Sequence, residues 1–112
     1  MKPTVTCLDH LVLTVANLDK TLAFYGDVMG MHPHAFEAGD GTTRWSLNYG
    51  SQKINLHQAG AEFEPKARRP APGTADLCFL SDTSLAEWMT HLATCGVAVE
   101  DGLGGGPRES SC

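Results

Sequence analysis

The sequence lacks any run of about 18 apolar residues, which sets aside a membrane-spanning helix. No charged N-terminal segment leads into an apolar run, so no secretion signal is read. Cys7, Cys78, Cys95 and Cys112 form no CxxC pair and no zinc-ligand spacing, which sets aside a zinc module and a dithiol redox motif. Scattered thiols on apolar segments are the pattern of buried free cysteines in a reducing compartment, so the cytoplasm is the expected location. There is no basic cluster either. The densest cationic stretch, Lys66-Ala67-Arg68-Arg69, follows Glu62 and Glu64, and the net charge is −5. Neither nucleic acid nor an anionic membrane surface is an expected partner.

What remains is a chain of 112 residues with an ordinary apolar share of 42%, enough for a single domain over 1–112 with a small core. It is organised around Leu8-Asp9-His10-Leu11-Val12-Leu13-Thr14-Val15. The alternation places Leu11, Leu13 and Val15 on one face of a strand and His10, Val12 and Thr14 on the other. A helix follows: Asn17 is a candidate N-cap, Leu18, Leu22, Tyr25 and Met29 form an apolar stripe, and Gly30 is the expected stop. A fainter strand, Asp76-Leu77-Cys78-Phe79-Leu80, lies 66 positions after the first. It too leads into a helix, opened by the capping box of Ser84 and Glu87 and ended at Gly96. The repeat predicts a duplicated strand–helix unit.

Between the copies, turn residues divide the chain into three further strands, about 31–37, 43–49 and 53–58. The short turns make them antiparallel neighbours. In the third of these, Ile54 and Leu56 face one way and Asn55 and His57 the other. Residues 1–58 thus read as a complete βαβββ module. Residues 59–73, rich in proline and charge, read as an extended, exposed linker. Residues 74–100 read as a partial second module with strands near 75–80 and 97–100, and residues 101–112 as a flexible tail. A second copy of the same length would run past residue 112, so two of its strands have no sequence to form them.

These residues resemble the vicinal oxygen chelate superfamily, which includes glyoxalase I, extradiol dioxygenases, and fosfomycin and bleomycin resistance proteins. The resemblance rests on Leu8 to Val15, Phe24-Tyr25 and Met29-Gly30-Met31. It is closer to the glyoxalase-domain-containing branch through Ile54-Asn55-Leu56-His57-Gln58, Glu62-Phe63-Glu64-Pro65-Lys66 and Pro72-Gly73-Thr74-Ala75-Asp76-Leu77-Cys78. It implies an α+β, glyoxalase-like fold of paired βαβββ modules, here with the second module incomplete and the chain truncated at its C-terminal end. In that fold, curved sheets enclose a cavity where a divalent metal polarises vicinal oxygens of a substrate.

The resemblance places His10 at the first-strand ligand position, Asn55 near a fourth-strand carboxylate position, and Asp76 where many members carry a second histidine. The family's closing Asp-Pro-x-x-Asn-x-x-Glu segment, with its Glu ligand, is absent. The expected metal set is therefore His10, His57 and Asp76, suited to Fe, Mn, Ni or Zn. Val12, Thr14, Asn55 and Cys78 are expected to line the cavity. His32 and His34 also share a strand face, but read as exposed strand-end residues. The implied activity is a metal-dependent lyase or ring-cleaving dioxygenase acting on a small oxygenated molecule. The rival expectations are a non-catalytic, resistance-type binder of small molecules and a truncated, inactive member. A homodimer, with modules or strands swapped, is the expected assembly, since missing strands leave open sheet edges.

Overall fold

The computed structural model describes residues 2–100. It divides into two compact units, Met1–Asp76 and Leu77–Cys112. The expected tail over 101–112 lies outside the described residues.

The first unit is the βαβββ module. Strand β1 (His10–Val15) leads into helix α1 (Leu18–Ala23), which continues as a π-helical turn over Phe24–Val28. Strands β2 (His32–Glu37), β3 (Thr43–Tyr49) and β4 (Gln52–Gln58) follow. The sheet order is β1-β4-β3-β2, with β1 parallel to β4 and the other pairs antiparallel.

Local chemistry accounts for the element ends. The Asn17 side chain accepts a hydrogen bond from the Lys20 N–H at 3.0 Å, satisfying one of the orphan donors of the first turn. Gly30 ends the helix at φ +75°, a conformation that costs any residue with a Cβ. Leu18, Leu22, Tyr25 and Met29 are each half-buried, while Asp19 and Lys20 between them are exposed. The stripe read from the sequence is therefore the packed side of the helix.

The core lies on the helix side of the sheet. Leu47 and Ile54 are fully buried and opposite each other in the β3–β4 ladder. Leu56, Val15 and Met31 complete it. Gln58 ties the sheet to the helix start. Its Oε1 accepts from the Leu18 N–H at 2.9 Å, and its Nε2 donates to the Ala16 carbonyl at 2.8 Å and the Val15 carbonyl at 3.3 Å.

The second unit contains helix α2 (Leu85–Thr94). Ser84 Oγ accepts from the Glu87 N–H at 3.2 Å, and Gly96 follows the helix at φ +73°. The cap and the stop expected from the repeat are both present. The strands expected at 75–80 and 97–100 are not: both segments are irregular and enter no β-ladder among the described residues. Alternating side chains suit a segment to a sheet, but a strand exists only when a second edge pairs with its backbone groups. The thiols also differ from expectation. Cys7, Cys78 and Cys95 are exposed, because Cys7 and Cys78 lie in irregular segments and Cys95 caps a helix end.

Candidate functional site

The ladder register fixes which side chains share the face of the sheet opposite the core, because directly paired residues point to the same side. One row across the sheet is His10, Lys53, Asn48 and His32. The next is Val12, Asn55, Ser46 and His34. The third begins with Thr14 opposite His57 and ends with Arg44 opposite Phe36. The β3–β4 register, carried one residue past Trp45–Leu56, sets Arg44 opposite His57.

These twelve positions carry four of the chain's five histidines, one lysine, one arginine and no carboxylate, in a chain of net charge −5. The face is open at its edges: Val12 is 38% and Phe36 45% exposed. Towards the third row it closes, with Thr14, Ser46 and His57 buried.

At one corner of the face, His10 Nδ1 lies 2.8 Å from Asp9 Oδ2. An ionised carboxylate can only accept, so Nδ1 carries a proton, and in the neutral ring Nε2 is the nitrogen with the free lone pair. The hydrogen bond from His10 holds the Asp9 carboxyl below the usual carboxylate range. A carboxylate on one ring nitrogen is the arrangement that orients a histidine towards a metal on the other.

His57 is in a different position. It pairs with Thr14, four residues along β1 from His10, so the two histidines are separated by about 13 Å of strand. The register does not bring them to one ion. Asn55, two residues from the Lys53 that His10 faces, is nearer. Asp76 is exposed, in an irregular segment at the end of the first unit. Cys78 belongs to the second unit and is exposed. Among the described residues, no group of three or more His, Cys, Asp or Glu is placed to hold a metal ion. His10 thus fits a metal as one oriented ligand, and the described residues do not supply the rest of a coordination sphere.

His57 instead joins a cluster that the sequence reading passed over. Its ring is 2% exposed and packs on Phe63, with centroids 4.1 Å apart and planes tilted by 49°. The Arg44 guanidinium carbon lies 3.8 Å from the centre of the same Phe63 ring. Arg44 Nη2 is 3.4 Å from Asp40 Oδ2. Two polar atoms here are buried with no hydrogen-bond partner: His57 Nδ1 and Arg44 Nε. Each such atom typically costs about 1–3 kcal/mol. Burial lowers the proton affinity of His57, with Arg44 and Lys66 acting in the same direction and Glu62 and Glu64 against it.

The segment expected to be an exposed linker is therefore anchored at Phe63, and Glu62 and Phe63 are half-buried. A recess of about 370 Å³ adjoins it, with Arg44, Phe63, Trp45, Leu56 and Leu18 in its walls. Two signals were available in the sequence. Arg44 alternates with Trp45 and Leu47, which puts it on the His57 face, and Phe63 is a lone aromatic in a charged, proline-containing stretch.

Comparison with known proteins gives a consistent result. The family model described as the Glyoxalase/Bleomycin resistance protein/Dioxygenase superfamily matches residues 7–110. The glyoxalase domain-containing protein RDO1 of Mycosarcoma maydis is 49% identical over 98 residues, covering 88% of this chain and 53% of that protein. Virulence protein STM3117 of Salmonella typhimurium is 43% identical over 95 residues, covering 85% of this chain and 63% of that protein. Its crystal structure superimposes with a TM-score of 0.79 at 41% identity, over 89% of this chain and 76% of that one. The crystal structure of lactoylglutathione lyase from Agrobacterium tumefaciens superimposes with a TM-score of 0.63 at 25% identity, over 89% and 77%. The chain thus spans less than two thirds of the length of either curated relative.

Proposed function

This chain belongs to the Glyoxalase/Bleomycin resistance protein/Dioxygenase superfamily, and we propose that its histidine-bearing sheet face is the floor of a cavity that binds a small oxygenated molecule. The observation that carries this reading is the Asp9–His10 pair at the rim of that face. The carboxylate fixes the ring tautomer and leaves Nε2 directed away from Asp9 as a metal ligand or hydrogen-bond acceptor. The face around it supplies amide, hydroxyl and ammonium groups from Asn48, Asn55, Ser46 and Lys53, which suit a ligand rich in oxygen.

A divalent ion at His10 would supply Lewis-acid polarisation of paired substrate oxygens, the chemistry of a lyase or ring-cleaving dioxygenase. His10 would be one ligand, with the amide oxygen of Asn55 as a weaker neighbour. Asp76 and His57, the other expected ligands, would enter only if a conformational change or a second copy of the chain brought a carboxylate or imidazole to His10. Assembly as a homodimer would provide that second set of side chains and cover the open face. Lys53, beside His10, would hold the negative charge that develops on a bound oxygen.

The test is a calorimetric titration of the full chain with Ni²⁺, Mn²⁺ and Zn²⁺, for the wild type and for His10→Ala. Binding that is lost in His10→Ala while the melting temperature is kept supports the reading. Equal binding by both forms overturns it.

A second reading is favoured by the absence, among the described residues, of a third metal donor near His10. In it, the same face binds its ligand without a metal, as in resistance-type proteins. Ligand binding that persists in a chelator would select it.

A further inference from the structure

The two unpartnered polar atoms on the sheet face, and the ring that covers them, identify a ligand group. We propose that Arg44 and His57 form an oxyanion subsite, that Phe63 is its displaceable cover, and that the ligand of this face carries a carboxylate or phosphate group. The proposal rests on the reading of the face as a ligand floor and adds the charge of what it binds.

The site is built from three elements. Arg44 on β3 and His57 on β4 are opposite each other in the ladder, so their side chains rise from adjacent strands on the same face. Arg44 Nε and His57 Nδ1 are buried and bonded to nothing. Phe63 from the following segment lies against both side chains, 3.8 Å and 4.1 Å away by ring centre. A phenyl ring has no acceptor in its plane to satisfy either nitrogen. An oxyanion does: it accepts from the guanidinium, whose planar fork suits carboxylate and phosphate, and from a protonated or Nδ1-tautomeric imidazole.

The cover has somewhere to go. Phe63 and Arg44 both border the recess of about 370 Å³, so a rotation of the ring into that space uncovers the pair. At its start the segment is tied to the sheet by the Ala59 N–H, which donates to the Val15 carbonyl at 2.8 Å, and the bonds that follow are local. The Ala61 N–H donates to the Gln58 carbonyl at 2.9 Å, the Gly60 N–H donates to Glu62 Oε2 at 3.0 Å, and Lys66 lies 4.0 Å from Glu64. Glu62 and Glu64, the carboxylates whose fields reach His57, flank Phe63 in sequence. Displacing the segment therefore removes the ring and two anions from the pair at once, and an incoming oxyanion replaces their charge. Asp40, which lies 3.4 Å from Arg44 Nη2, leaves Nε unengaged.

The experiment is an NMR titration of the full chain with inorganic phosphate and, separately, with malonate, following the His57 and Phe63 ring signals. Both rings shift on binding if the proposal holds. Arg44→Gln weakens binding by about tenfold, the loss expected for a charge-assisted hydrogen bond. Phe63→Ala strengthens it, with Phe63→Leu as the milder variant if the alanine form does not fold. A chelator leaves it unchanged, which separates this subsite from the metal reading. Stronger binding of phosphate points to a phosphate or phosphonate ligand, and stronger binding of malonate to a carboxylic acid. Unmoved His57 and Phe63 signals with both anions, or full binding by Arg44→Gln, overturns the proposal.

Discussion

Gln58 and Leu18, forty residues apart in the chain, are joined by a 2.9 Å hydrogen bond from the Leu18 N–H to the Gln58 side-chain oxygen. The same amide donates to the carbonyls of Val15 and Ala16, so one side chain at the end of β4 fixes the turn by which β1 enters the helix. Gln58→Leu keeps the volume and removes all three bonds. It should lower stability by about 1–3 kcal/mol, because the half-buried Leu18 N–H loses its partner. Urea denaturation measures this, and a change within error would mean that the clamp contributes nothing.

Leu47 and Ile54 face each other across the β3–β4 ladder with no exposed surface. Truncating either to alanine removes packed methyl groups and leaves a cavity, a loss of about 2–5 kcal/mol. Because the two share one cavity, the double variant should lose less than the sum of the single losses. A double-mutant cycle in urea checks both statements.

The Asp9–His10 bond can be tested from the carboxylate side. His10→Ala removes the leading cause of the lowered Asp9 pKa, so that pKa should rise towards its ordinary value. Carboxyl-carbon NMR through the acid range reads it. Asp9→Asn should then weaken any metal bound at His10 by about 10–100-fold, the usual cost of losing such an orienting partner. An unaltered affinity would show that the carboxylate does not orient the ring for a metal.

Protonation of His57 should destabilise the fold. Burial, the largest cause, lowers its pKa in the folded state below the ordinary value of 6.5, and Arg44 and Lys66 add to this against Glu62 and Glu64. The unfolded chain therefore binds the proton more readily. The contribution is fully present above about pH 6.5 and is lost as pH falls through the folded-state value. Asp9, Asp40 and Glu62, whose carboxyls are held low by hydrogen bonds, act in a separate window below about pH 4.5. The melting temperature should fall between about pH 7.5 and 5.5 in the wild type and stay flatter in His57→Gln. Parallel curves for the two would refute the assignment.

The sequence by itself determined the elements of the first module and their faces. Alternation and helical spacing are short-range signals, each carried by neighbours within one strand or turn. Asn17, Gly30, Ser84 and Gly96 act through bonds or backbone angles of adjacent residues, and the structure places all four as expected. The tertiary structure decided everything that depends on register. It set His57 opposite Thr14 rather than beside His10, because the parallel pairing of β1 with β4 fixes the offset and no local pattern encodes it. It placed Phe63 on His57 and under Arg44, a contact between three separate segments. Among the described residues it also left 75–80 without a ladder, since alternation can suit a segment to a sheet but cannot supply the edge that it pairs with.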